Sequence, residues 1–214
     1  MEYAHPLKET YSRIEQMAKL YYRYGAMNSG KSTSLLQVAY NYEERGQHVL
    51  VAKPSIDTKG EGVVSRLGVT REVDLFITPE LDVIEAFKVI KTQYEQEGKT
   101  VDCFIVDEAQ FLTRDQVNDL FIIAVQLGTP VMAYGIRNDF QTNAFTGSLR
   151  LLEIAHSLEE LKTICRCGRK AILNGRKIDG LFIKEGQQVA IDGQHADYES
   201  LCGTCYLEKV GPIS

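Results

Sequence analysis

The octapeptide Gly25-Ala26-Met27-Asn28-Ser29-Gly30-Lys31-Ser32 matches GxxxxGK[ST] at every fixed position, a spacing suited to gripping a polyphosphate. Its glycines let backbone N–H groups turn inward around phosphate oxygens, and a helix starting at the lysine adds the positive end of its dipole. Lys31 is placed to reach the β- and γ-phosphates, and the Ser32 hydroxyl to ligate Mg²⁺. A second group, Asp107-Glu108, follows the apolar run Phe104-Ile105-Val106. There Asp107 is expected to hold Mg²⁺ directly or through water, and Glu108 to face the same cleft, able to take the proton of an attacking hydroxyl. Gln110 is a natural hydrogen-bonding companion for it. Read alone, Glu108 serves equally well as a cap for the following segment; the phosphate loop upstream favours the base.

The third group is cysteine: Cys165 and Cys167 as C-x-C, then Cys202 and Cys205 as C-x-x-C. Together they supply four thiolates, the donor set of a closed structural Zn²⁺ site that can stabilise a small lobe with little core. Reduced structural cysteines and a redox pair are the alternatives, and His195 is a candidate to replace one thiolate. Cys103, inside an apolar run, reads as a small buried hydrophobe.

These groups need elements to position them. Leu20 to Tyr24 has strand character and leads into the phosphate loop, after which Lys31 to Arg45 reads as a helix stopped by Gly46. His48 to Ala52 is a short apolar strand, and Pro54 to Thr70, without periodicity, reads as a flexible loop. Leu81, Ile84, Phe87, Ile90 and Tyr94 recur at helical spacing. Val101 to Val106 is a buried parallel strand delivering acids at its carboxyl end. A helix capped by Thr113, with Asp115 behind it, then precedes the strand Val131 to Tyr134. Strands alternating with helices predict an α/β domain on a parallel sheet. After about residue 156 the pattern changes to short β-like stretches, around Lys170 to Leu173 and Val189 to Ile191, set between cysteine pairs. The expected division is an appended segment at 1–16, an ATP-binding α/β domain at 17–156 and a zinc-binding lobe at 157–214. The segments Pro54 to Thr70 and Gly175 to Tyr198 look loose enough to order upon ligand binding.

Composition narrows the function classes. The chain has 214 residues, 44% of them hydrophobic and 25% charged, so it can bury a proper core and is neither disordered nor fibrous. A net charge of −5 argues against nucleic acid as a partner. No apolar stretch approaches the roughly 20 residues of a membrane span, and the amino-terminal residues lack the features of a secretory signal, so a cytoplasmic location is expected.

Taken in order, the motifs resemble those of the zinc-containing P-loop thymidine kinases. The resemblance runs through GAMNSGKST from Gly25 to Thr33, KPSIDTKGEGVVSR from Lys53 to Arg66, DEAQF from Asp107 to Phe111, DFQTNAFTGS from Asp139 to Ser148, and CRCGRKA with HADYESLCGTCY at the end. It implies a P-loop (RecA-like) parallel sheet flanked by helices with a small C-terminal zinc-binding lid. It further implies transfer of the γ-phosphate of ATP, with Mg²⁺, to the 5′-hydroxyl of thymidine or deoxyuridine, with Glu108 aligned to the family's catalytic base. On the same basis Gly25 through Thr33, Asp107 and Gln110 bind ATP, and Met27, Phe111, Phe140, Phe145, Arg176 and Tyr198 surround the nucleoside. Without the resemblance, ordinary core packing would be the preferred reading of each phenylalanine. Arg176 looks like the family's lid arginine, which approaches phosphate or holds the lid. A homotetramer and feedback inhibition by thymidine triphosphate are family expectations.

The chain departs from the family pattern at several positions. The first cysteine pair is one residue shorter than usual, Lys59 replaces an arginine, and Thr146 interrupts a Phe-Gly step. Asn174 occupies a lid position that varies within the family, and the amino-terminal extension has no counterpart there. Two readings compete with the kinase. Asp107-Glu108-Ala109-Gln110 echoes the DExx box of nucleic-acid ATPases, although one lobe and an acidic chain suit a helicase poorly. A noncatalytic nucleotide-sensing module is the other.

Overall fold

The computed structural model describes residues 18–56, 62–64, 68–188 and 196–213. The expected appended segment at 1–16, Lys59, His195 and the stretch Val189 to Ile191 lie outside the described residues.

The first half alternates strand and helix. Strand β1 (Leu20–Tyr24) leads through the phosphate loop into helix α1 (Lys31–Glu43), followed by β2 (Val49–Pro54), β3 (Gly62–Val64), β4 (Thr70–Glu72), β5 (Leu75–Ile77) and α2 (Val83–Gln96). Then come β6 (Cys103–Val106), a 3₁₀ turn (Ala109–Phe111), α3 (Arg114–Leu127), β7 (Val131–Gly135), α4 (Thr146–Ile154) and β8 (Ser157–Glu160). Six strands form one sheet in the order β5-β2-β6-β7-β1-β8, and every pairing in it is parallel. The phosphate-loop strand β1 and the acid-bearing strand β6 are therefore separated by one strand, β7. Because all strands run the same way, the segments that follow β1, β2, β6 and β7 emerge along one edge.

Alternation along the strands divides the core between two faces. Leu50, Ala52, Phe104 and Val106 join Val83, Phe87, Val117, Leu120, Ile123 and Leu151 from α2, α3 and α4. Their neighbours Val49, Val51, Cys103 and Ile105 face Leu35, Leu36 and Ala39 of α1. The strands are buried on both faces, which is why they read as continuous apolar runs. Helix α3 begins as predicted: the Thr113 hydroxyl accepts the Gln116 N–H at 3.2 Å, and Gln116 Oε1 accepts the Thr113 N–H at 3.1 Å.

One expectation about loops is corrected. The described part of Pro54 to Thr70 includes β3, which pairs antiparallel with β4 from Thr70 onward and has Val63 buried against the α1 face. Strands of three residues are too short to show a period, so one buried valine decides the arrangement. The described residues of Gly175 to Tyr198 include hairpin strands. After β9 (Thr163–Ile164) and β10 (Lys170–Ala171), strands β11 (Leu173–Ile178), β12 (Leu181–Ile183) and β13 (Ala196–Leu201) form an antiparallel sheet in the order β12-β11-β13. Helix α5 (Gly203–Lys209) closes the described chain. The core of this lobe is small: Cys165, Ala171, Leu173, Leu201, Cys202 and Tyr206. Strand β8 pairs with β1, so the main sheet extends past residue 156, where the lid was expected to begin.

Candidate active site

The phosphate loop leaves β1 with the Gly25 N–H donating to the Gly135 carbonyl oxygen at 3.3 Å. A Cβ on Gly25 would lie 2.5 Å from the Leu161 carbonyl oxygen, so only glycine fits there. The loop turns through left-handed conformations at Asn28 (φ 66°) and Gly30 (φ 78°) and delivers Lys31 at the start of α1. Lys31 Nζ bends back over the loop, donating to the Ala26 carbonyl oxygen at 3.0 Å and to Ser29 Oγ at 3.4 Å. The ammonium thus lies over the loop at the start of a helix, where positive charge and helix dipole together attract phosphate.

Opposite, β6 is followed by Asp107, whose N–H donates to the Ala52 carbonyl oxygen of β2 at 2.9 Å. Asp107 is buried, with Oδ1 accepting the Glu108 N–H at 3.0 Å. Burial pushes its carboxyl up to about 7, the neighbouring Glu108 charge adds to this, and Lys31 and Lys53 pull it back. Glu108 itself sits in the left-handed region, φ 48°, which turns the chain from the strand into the 3₁₀ turn. Its Oε2 accepts from Gln110 Nε2 at 2.5 Å, and Gln110 Oε1 accepts the Ile136 N–H at 3.2 Å. Asp107, Glu108 and Gln110 are therefore one hydrogen-bonded unit anchored on Ile136, the residue that follows β7.

The aromatic residues gather in two sets. Phe111 and Phe145 meet edge to face with centroids 5.5 Å apart. Phe140 lies beneath the Arg176 guanidinium, 3.8 Å from ring centroid to Cζ, and Arg176 Nε donates to the Tyr198 hydroxyl at 2.8 Å. The remaining guanidinium bonds go to the Gln187 and Gln188 carbonyl oxygens at 2.7 and 2.8 Å. Three of these partners, Tyr198, Gln187 and Gln188, lie in the C-terminal lobe, and Phe140 lies in the sheet domain. Thr146 is the exposed first residue of α4, where Phe145 precedes the helix.

Sequence reading missed the ties between the C-terminal lobe and the sheet domain. Asp139 Oδ1 accepts the Gln141 and Asn143 N–H groups at 2.8 and 2.9 Å, while Oδ2 accepts from Gln188 Nε2 at 3.0 Å. The Tyr206 hydroxyl donates to the Phe140 carbonyl oxygen at 2.7 Å. An aspartate two residues before a loop N–H was a readable turn signal; Tyr206 offered none, because its partner is distant in sequence.

The cysteine quartet lies in the small C-terminal lobe. The sulfur atoms of Cys165, Cys167, Cys202 and Cys205 all lie within 4.8 Å of one another, none in a disulfide. Cys202 caps α5, and the Cys205 N–H donates to its Sγ at 3.5 Å; that bond holds the Cys202 thiol below its ordinary value. The one-residue spacer between Cys165 and Cys167 does not keep the four apart, since a turn returns the chain with the Cys165 N–H on the Arg169 carbonyl oxygen at 2.8 Å. The donor set can hold a metal ion. Among the described residues no helix is long and apolar enough to cross a membrane.

Comparison with known proteins agrees with this geometry. The profile of the family described as Thymidine kinase matches residues 18–206. A thymidine kinase of Idiomarina loihiensis is 48% identical over 198 residues, covering 91% of this chain and 99% of the relative. One from Enterobacteria phage T4 is 48% identical over 189 residues, 87% and 94% of the two chains, and one from Haemophilus influenzae is 46% identical over 200 residues, 92% and 100%. Among solved structures, the Pif1 helicase of Candida albicans aligns with 78% of this chain and 41% of its own at 18% identity and a TM-score of 0.39, a likeness too slight to carry an argument. With the match extending from β1 to α5 and relatives close to half identical over nearly their whole length, this chain belongs to the thymidine kinase family.

Proposed function

We infer that the chain phosphorylates thymidine, or deoxyuridine, at the 5′-hydroxyl with ATP. The observation that carries the reading is the opposition of the Lys31 phosphate loop to the Asp107-Glu108-Gln110 unit across one sheet edge, inside a chain matched by the family over residues 18–206. Loop N–H groups and Lys31 bind the phosphates of ATP. Glu108, held by Gln110, takes the proton as the 5′-oxygen bonds to the γ-phosphorus and the bond to the β–γ bridging oxygen breaks, releasing ADP. Gln110 acts as positioning residue for that carboxylate. Ser32 and Asp107 would hold Mg²⁺, which supplies charge neutralisation on the phosphate oxygens when bound. Met27, Phe111, Phe140, Phe145 and Tyr198 enclose the nucleoside, and Arg176 secures the lid over it.

The metal of the lid is assigned as Zn²⁺. A tetrahedron with Zn–S bonds of about 2.3 Å needs sulfurs roughly 3.8 Å apart, and Cys167 and Cys202 are 3.6 Å apart. The division into an ATP-binding domain and a zinc lid follows from these two centres. Homotetramer assembly, inhibition by thymidine triphosphate and a cytoplasmic location belong to the same reading and are supported by family membership.

A coupled transfer assay with purified chain, Mg²⁺ and ATP tests the reading, with thymidine beside deoxyuridine, deoxycytidine and deoxyadenosine, and with or without single-stranded DNA. Monophosphate formed from thymidine or deoxyuridine is expected. ATP hydrolysis that requires DNA, with no nucleoside product, overturns it, as does tight ATP binding with no transfer at all.

A further inference from the structure

Two side chains facing each other across the lid hairpin reach into the phosphate loop. Asn174 on β11 and Ser200 on β13 are register partners. Asn174 Oδ1 accepts the Met27 N–H at 2.8 Å, and Ser200 Oγ donates to the Met27 carbonyl oxygen. Both backbone polar groups of one loop residue are therefore held from the lid. The other end of the Asn174 amide, Nδ2, donates to the Asn138 carbonyl oxygen at 3.0 Å, two residues before Phe140. Asn174 is 1% exposed and Ser200 6%, so both side chains are buried.

The next register pair on the same face of the hairpin is Arg176 with Tyr198. These two are bonded to each other, and Arg176 covers the Phe140 ring. A continuous line of contacts thus runs from Met27, through Asn174 and Ser200, to the Arg176-Tyr198-Phe140 cluster.

We propose that the Asn174–Ser200 pair is a positioning device that couples the phosphate half of the site to the nucleoside half. The proposal rests on the thymidine kinase reading above. Phosphates seated in the loop hold residues 25–32 in one conformation, which fixes the directions of the Met27 N–H and carbonyl. Those directions satisfy Asn174 and Ser200 together in one placement of the hairpin, and that placement sets Tyr198 and Arg176 against Phe140. Order imposed by one ligand need not be imposed again by the second. Each ligand therefore tightens the other by the same factor. The Asn174 amide is used at both ends, as acceptor toward the phosphate loop and as donor toward the loop that carries Phe140. Aspartate keeps the first contact and sets an oxygen against the Asn138 carbonyl; leucine loses both and leaves a buried donor and a buried acceptor unpaired.

The test is equilibrium binding of thymidine to the full chain, alone and with a saturating non-hydrolysable ATP analogue and Mg²⁺. In the unaltered chain the analogue is expected to tighten thymidine by a factor in the range of about 5 to 150. In Asn174→Leu and in Ser200→Ala that factor falls toward one, while the analogue's own affinity in the absence of thymidine stays within about twofold, a split that general destabilisation does not produce. Asn174→Asp retains part of the factor. Ser200→Ala removes a single hydroxyl, so it carries the test if Asn174→Leu fails to fold. An unchanged factor in the variants that fold, or a factor of one in the unaltered chain, overturns the coupling. Normal thymidine phosphorylation with an unchanged factor overturns the coupling alone; absence of phosphorylation by the unaltered chain overturns the kinase reading and the coupling with it.

Discussion

Gln110 clamps Glu108 from below: its amide nitrogen donates to Glu108 Oε2 at 2.5 Å while its oxygen accepts the Ile136 N–H at 3.2 Å. The carboxylate is thereby tied to the backbone just past β7, as well as to the turn that carries it. A base fixed in this way needs no reorientation when the hydroxyl arrives. Glu108→Gln is expected to keep ATP binding and to lose turnover by about 10²-fold or more, the size of a general-base contribution. Gln110→Met keeps the fold and lowers kcat with little change in the KM of either substrate. Steady-state kinetics alongside ATP titration checks both, and an unchanged rate in Glu108→Gln removes Glu108 from the base role.

Burial places the Asp107 carboxyl at about 7, above its ordinary 3.8. A carboxyl raised in the folded state binds more protons folded than unfolded, so stability falls as pH rises from about 4 to about 7. The metal-free chain should therefore melt at a lower temperature at pH 7 than at pH 5, and Asp107→Asn should flatten that difference. Thermal melts across this window, in chelator, decide the matter.

The five thiols are expected to differ in reactivity. Cys103 is fully buried, and burial pushes its thiol up to about 12, so it stays inert in the native chain. Removing metal with a chelator should expose the quartet to a thiol reagent and lower the melting temperature, because the lid core consists largely of those cysteines and their neighbours. Counting reacted thiols before and after denaturation gives four, then five; a native count of five contradicts the assignment.

Tyr206→Phe removes the hydroxyl that donates to the buried Phe140 carbonyl oxygen. The loss should cost about 1–3 kcal/mol and raise the KM for thymidine more than that for ATP, since Phe140 belongs to the nucleoside side. Thr113→Ala provides the contrast: it should cost about 1 kcal/mol through the lost helix cap, with both KM values unchanged.

Much of the sheet domain was legible because its causes are local. Alternation and apolar runs located β1, β2, β6 and β7, Thr113 marked the start of α3, and the glycine spacing marked the phosphate loop before any coordinates. The short strands were not legible: β3 has three residues, and only the burial of Val63 against α1 gives it a reason to be extended. The order in which strands pair was equally hidden, since β8 joins β1 although more than a hundred residues separate them in the chain.

The linear chain, then, carried the chemistry: which residues can grip phosphate, which carboxylates can hold a cation or a proton, which sulfurs can share a metal. Those properties reside in residue type and near-neighbour spacing. What the folded molecule alone decided is how the parts constrain one another. Asn174 and Ser200 both close on Met27, Arg176 turns its guanidinium into the lid over Phe140, and Gln110 ties Glu108 to Ile136. Each of these contacts joins groups brought together by sheet order and lid docking, and buried polar atoms must find partners wherever packing leaves them. No local pattern encodes that choice, because it is made by the whole set of neighbours at once.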